Sequence, residues 1–127
     1  MREKFFSDID GLILATICSN PKHDVVSWIA FIDAYYRILI SYDELNNSLN
    51  KLQKYGLITF KNNCFICTDK TEKLLSRKGN IGTTTWIFEV QERIVKLSFC
   101  EIYNIAYHLL KTEYESALKQ YRALFKN

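Results

Sequence analysis

Proline and glycine are scarce in this chain: one proline and four glycines in 127 residues. That excludes long disordered or linker stretches, which are built from such residues or from a strong polar bias. A strong charge bias is missing too. The formal net charge is +3, and residues 1–76 carry nine Lys/Arg against nine Asp/Glu, so the whole excess lies in residues 77–127. A dedicated nonspecific nucleic-acid binder carries a larger basic surplus. No apolar run is long enough to cross a bilayer. The opening Met1-Arg2-Glu3-Lys4-Phe5-Phe6-Ser7-Asp8 puts charges where a signal peptide needs its apolar stretch. These absences lead to the expectation of a cytoplasmic chain without membrane contact, whose four cysteines are reduced thiols. No phosphate-cradling loop and no catalytic constellation stands out, so neither enzyme activity nor a cofactor is expected.

What is present is apolar material. Hydrophobic residues make up 48% of the chain and aromatics 14%, enough for the core of one domain of this length. Ser7 or Asp8 caps a first helix carrying Leu12, Ile13, Ala15, Thr16 and Ile17, and Asn20-Pro21 ends it. Asp24 caps a second, in which Val25, Val26, Trp28, Ile29, Phe31, Ile32, Tyr35, Tyr36, Ile38 and Leu39 run nearly all round the helical wheel. Such a helix needs cover on more than one side, and the C-terminal helices are expected to supply it. Ser41 caps a third helix with a Leu45-Leu49-Leu52 stripe, and Gly56 stands where a helix favours a left-handed residue. Strand 57–60, a Lys61-Asn62-Asn63 turn and strand 64–67 make a hairpin. Thr68 caps a short helix to about Leu75. Residues 76–84 read as loop. Beyond them, Ile87, Val90, Ile94 and Leu97 form a helical stripe that Phe99, Ile102, Tyr103, Ala106 and Leu109 or Leu110 continue. Tyr114, Leu118, Tyr121 and Phe125 mark a last helix, either capped by Thr112 or running on without a break.

The segment from Ser41 to Ile58, with its turn, three leucines, Gly56 and Leu57-Ile58, resembles the third helix and first wing strand of winged helix-turn-helix regulators. Ile66-Cys67-Thr68-Asp69-Lys70 resembles the point where such domains leave the wing, with Thr71 where they usually carry glycine. Asp10-Gly11-Leu12-Ile13-Leu14 and the stretch from Thr112 to Phe125 are similar to a group of small uncharacterised bacterial proteins about as long as this one. The resemblance implies an α+β, mainly α fold. A winged helix (three helices plus a β-hairpin wing) spans 8–76, a loop 77–84, and a C-terminal helical extension 85–126 packs on it in a single domain. It also implies a transcription-regulator-like protein whose third helix (42–55) enters the major groove of double-stranded DNA.

Opposite the leucine stripe, the wheel turns Asp43, Asn47, Asn50, Lys51 and Lys54 outward. Asparagine pairs with adenine, and lysine meets guanine or phosphate. Asn47, Asn50, Lys51 and Lys54 are therefore the expected DNA contacts, with Lys61 and Asn62 accessory at the wing tip. Asp43 and Glu44 oppose phosphates but suit a helix N-terminus. The alternative is a protein-interaction module, or a structural winged helix, that does not bind DNA. Trp86, Phe88, Phe99, Tyr103, Tyr107, Tyr114, Tyr121 and Phe125 read first as core, and any remainder as a homodimer surface. Cys64-Phe65-Ile66-Cys67 has the spacing of half a zinc site, but residues three apart on a strand face opposite ways, so buried thiols without metal are expected. His23 and His108 stand beside no nucleophile. Asp33 reads as a structural charge held by Arg37 or a tyrosine hydroxyl.

Overall fold

A computed structural model describes residues 6–97 and 101–125. The architecture is α+β and mainly helical. Its elements are α1 (Asp8–Ser19), α2 (Val25–Tyr36), α3 (Tyr42–Lys54), β1 (Ile58–Lys61), β2 (Cys64–Cys67), a 3-10 turn (Asp69–Thr71), α4 (Glu72–Leu75), α5 (Thr83–Ile94) and α6 (Lys111–Ala123). Local chemistry explains the boundaries. Asp24 accepts from the Ser27 amide at the start of α2. Ser41 and Glu44 exchange reciprocal hydrogen bonds at the start of α3, the capping-box arrangement. At its end, Gly56 takes φ +74°. Leu57 N donates to Leu52 O and Gly56 N to Gln53 O, which closes α3 with the two bonds of a Schellman motif. The chain then leaves as β1, paired antiparallel to β2 with Phe60 opposite Phe65 and Lys61 opposite Cys64. Asn62 and Asn63, at φ 53° and 61°, make the two-residue turn that matches strand twist.

The core is one buried cluster running from Phe6 to Tyr121. Its centre is α1, not α2. Every residue from Gly11 to Ile17 is buried, because α5, α3 and α2 all pack on α1. Helix α2 buries Val25, Trp28, Ile29 and Ile32 and leaves Tyr35 exposed. The two C-terminal helices cover different partners, α5 lying mainly on α1 and α6 on α2. Gly11 sets the α1–α5 distance. A Cβ there would stand 2.7 Å from the Gln91 Cα and 3.0 Å from Ile94 Cγ2. Backbone on the far side cannot swing away, so Gly11→Ala is expected to destabilise the fold by about 1–3 kcal/mol. A denaturant midpoint unchanged from the parent would contradict this packing.

The helical stripe expected through Ile102, Tyr103, Ala106 and Leu109 or Leu110 is corrected: residues 101–110 form no helix or strand, and Phe99 lies outside the described residues. The C-terminal part is therefore two helices joined by an extended strap. The strap alternates with a period of two. Tyr107 and Leu109 are buried and Ile105 partly so, while Ala106, His108 and Leu110 face out. Its amides find partners away from any helix. Tyr103 N donates to Lys54 O at 2.8 Å, and Ala106 N and Tyr107 N donate to Gln53 Oε1 at 3.2 and 2.9 Å.

Candidate functional site

Three of α3's flanks are occupied. Leu45, Leu49 and Leu52 are fully buried against the core. On a second flank Ser48 Oγ and Lys51 Nζ donate to the buried Asp10 carboxylate at 2.8 and 3.0 Å. On the third, Gln53 clamps the strap. Besides accepting from the two strap amides, its Nε2 donates to Tyr107 O at 2.8 Å. Tyr42 then donates to Leu109 O at 2.8 Å, so the strap follows α3 from its C-terminal end to its N-terminal end. What remains uncovered is a ridge of Asp43, Glu44, Asn47 and Lys54, exposed, with Asn46 and Asn50 partly exposed beside it.

The six expected contact residues separate accordingly. Asn47, Lys54, Lys61 and Asn62 are exposed and Asn50 is half-buried on the ridge. Lys51 has a different employment. Its ammonium pairs with Asp10, whose side chain is only 4% exposed against 36% for Lys51, and it lies 5.8 Å from the Phe6 ring centroid. Helical periodicity places Lys51 on the border of the outward arc, and the buried acceptor across from it comes from an element 41 residues away. A further basic residue stands beside the hairpin without any signal in the sequence. Lys22, exposed, forms an antiparallel bridge with Cys64 at the outer edge of the hairpin, joined by bonds from Phe65 N to Pro21 O and from His23 N to Asn63 O. A lone lysine in a loop gains meaning only from that third edge.

A polar cluster holds the hairpin tip from behind. His23 Nδ1 lies 3.1 Å from Asn63 Oδ1, and Nε2 lies 2.7 Å from Glu113 Oε2 and 2.9 Å from the Tyr107 hydroxyl. Tyr107 donates to Glu113 Oε1 at 2.5 Å. Burial, then the bond to Glu113, pushes the Tyr107 phenol well above its usual range, so it stays a neutral donor. Tyr107, Trp28 and Phe60 surround the imidazole at centroid distances of 4.7, 5.8 and 5.8 Å. The cluster thus ties the α1–α2 connection, the hairpin, the strap and α6 together. Beside it, His23, Glu113, Ser116 and Gln120 border an open cleft of about 260 Å³. Neither Asp33 nor His108 reaches it. Asp33 accepts from Tyr121 at 2.5 Å, the tyrosine rather than the Arg37 alternative, and this bond is the first cause of the raised Tyr121 ionisation.

The cysteines correct the expectation of reduced thiols. Cys18 and Cys67 form a disulfide, Cα to Cα 6.3 Å, and Cys64 is free; Cys100 lies outside the described residues. Cys64 and Cys67 take separate roles, as residues three apart on a strand must. Among the described residues no group of three or more His, Cys, Asp or Glu is placed to hold a metal ion, and no helix is long and apolar enough to cross a membrane. Of the C-terminal aromatics, Trp86, Tyr107, Tyr114 and Tyr121 are buried, whereas Phe88, Tyr103 and Phe125 are exposed. No protein-family model, curated protein or solved structure matches this chain.

Proposed function

We propose that this chain is a winged-helix protein that binds duplex DNA, with α3 in the major groove and the hairpin tip against the backbone. The observation that carries the reading is the uncovered ridge on α3. Three flanks are fixed to other elements, and the fourth presents Asn47 and Lys54 to solvent beside the carboxylate of Asp43, with Asn50 half-buried among them. The order of elements supports it: a helix, a single β-bridge residue at Lys22, two helices and a hairpin whose second strand takes that bridge. The asparagine turn of the hairpin has two residues, and His23 is bonded to it at Asn63 through both side chain and backbone, which suits a backbone-contacting tip. Lys54, Lys61 and Lys22 belong to none of the ion pairs among the described residues, so their charge is available to phosphates. Asp43 and Glu44 sit in the first turn, where they stabilise the helix N-terminus.

Binding should therefore be modest and salt-dependent. Replacing Lys54 and Lys61 together with alanine is expected to weaken binding to any duplex. It should also lower the slope of log affinity against log salt by roughly 1 for each lysine removed. Fluorescence anisotropy with a labelled duplex at several salt concentrations reads both quantities. A parent protein without measurable duplex binding, or a double variant with the parent's slope, would count against the proposal.

The second reading, a homodimer or other protein partner held by the C-terminal helices, rests on Leu124 and Phe125. They are 71% and 70% exposed at the end of α6. Phe88, Ile102 and Leu110 are exposed as well, whereas Trp86, Tyr107, Tyr114 and Tyr121 of the aromatic stripe are taken up by the core.

A further inference from the structure

Among the described residues, one buried side-chain polar atom has no hydrogen-bond partner, and it is Asn50 Oδ1, on the ridge of α3. The same amide reaches Asn46 Oδ1 through its Nδ2 at 3.5 Å, the outer limit for such a bond. A buried acceptor without a donor destabilises the free protein, and such an atom in a native fold calls for an explanation. The partner that suits this one is specific. Adenine presents in the major groove a donor, N6–H, beside an acceptor, N7, and a carboxamide answers both at once, Oδ1 accepting and Nδ2 donating.

The rest of the face argues the same way. Residues 41–67 contain no arginine, so the side chain that most often reads guanine in two-point fashion is missing. The other amide long enough to reach a base from α3, Gln53, is buried and used by the strap and by Leu49 O. Asn47, exposed three residues before Asn50, is the neighbouring carboxamide.

We infer that Asn50 reads an adenine, so the preferred DNA carries an A·T pair where the middle of α3 meets the major groove, with Asn47 contacting the adjoining step. On binding, the Asn50 carboxamide turns outward and its oxygen gains the donor it lacks in the free protein. This rests on the proposed function above.

The test starts with selection of bound duplexes from a random pool at physiological salt. A single duplex carrying the enriched sequence is then compared with one in which the central A·T pair is G·C, and with one carrying 7-deazaadenine, which lacks N7. The parent is expected to prefer A·T by roughly 5- to 150-fold and to lose much of that preference with 7-deazaadenine. Asn50→Ala should bind all three duplexes within about twofold of one another, near the parent's affinity for the G·C duplex. Asn50→Asp, nearly isosteric but without the Nδ2 donor, serves if the alanine variant fails to fold, and it too should lose the preference. Salt-dependent binding with no A·T preference, or a preference that survives in the folded variants, overturns the role of Asn50 and leaves DNA binding standing. No binding to any duplex overturns both.

Discussion

Cys18→Ala combined with Cys67→Ala is expected to lower the free energy of unfolding by about 4 kcal/mol. The bond closes a loop with a sequence separation of 49 residues, and restricting an unfolded chain by a loop of that size is worth about that much in the chain-entropy account. It joins the last turn of α1 to the end of β2. The unfolded chain therefore loses freedom across α2, α3 and the whole hairpin. The measurement is guanidinium unfolding of parent and variant, with the parent also tested in excess reductant, where it should fall to the variant's midpoint. Mass spectrometry after alkylation without reductant should show Cys18 and Cys67 protected and Cys64 modified on unfolding. Coincident midpoints in all three samples, together with alkylation of Cys18 and Cys67, would contradict the bond.

Asp10→Ala is expected to cost about 2–4 kcal/mol. This carboxylate, placed in the first turn of α1, accepts from Ser7 N at 2.8 Å and Ser7 Oγ at 3.3 Å, and across to α3 from Ser48 Oγ and Lys51 Nζ. It therefore caps one helix and anchors another. Removing it strands the buried Ser48 hydroxyl and unpairs Lys51. Breaking a buried pair costs about 3–5 kcal/mol, and the partial exposure of the lysine, which lets it turn to water, lowers that toward 2. Lys51→Ala should cost less, about 1–3 kcal/mol, because Asp10 keeps its three other donors. Combining the two changes should cost clearly less than their sum, since both remove one interaction. Strict additivity in urea unfolding would show that the pair contributes nothing. Where Lys51→Ala remains folded, its loss of DNA affinity should be smaller than that of Lys54→Ala.

The legible parts of the fold are those with local chemical signatures. Ser41 with Glu44, the leucine stripe, Gly56 and the paired asparagines each fix a backbone feature within a few residues, and each stands where its pattern requires. The strap differs from its expected helix because its apolar residues satisfy two periods at once. Ile102, Ala106 and Leu109 suit a helix, while Ile105, Tyr107 and Leu109 suit an extended chain. Gln53, far off in sequence, makes the choice, since its amide accepts the strap's N–H groups in place of a helical carbonyl. The all-round burial of α1 from Asp10 to Ile17 is hidden in the sequence for a similar reason. Its polar positions, Asp10 and Thr16, find partners at Ser48 and at Leu12 O, so they tolerate full enclosure. Of the candidate site, helical geometry suffices to turn Asn47 and Lys54 outward with Asn50 at the edge, and turn chemistry to set Lys61 and Asn62 at the exposed hairpin tip. Geometry along one helix cannot reveal the acceptor facing Lys51, the edge position of Lys22, the Cys18–Cys67 bond or the His23–Tyr107–Glu113 cluster, all of which join segments distant in the chain.

The central claim is that the α3 ridge and the hairpin tip form one DNA-contacting face. Its most direct test is residue-resolved NMR of the nitrogen-15-labelled protein titrated with a short duplex at physiological salt. The expected result is a continuous set of perturbed signals from Asn47, Asn50 and Lys54 on α3, Lys61 and Asn62 at the hairpin tip, and Lys22 on its edge, with α6 unaffected. Signals that stay unmoved at saturating duplex, or that move only around Leu124 and Phe125, would contradict it.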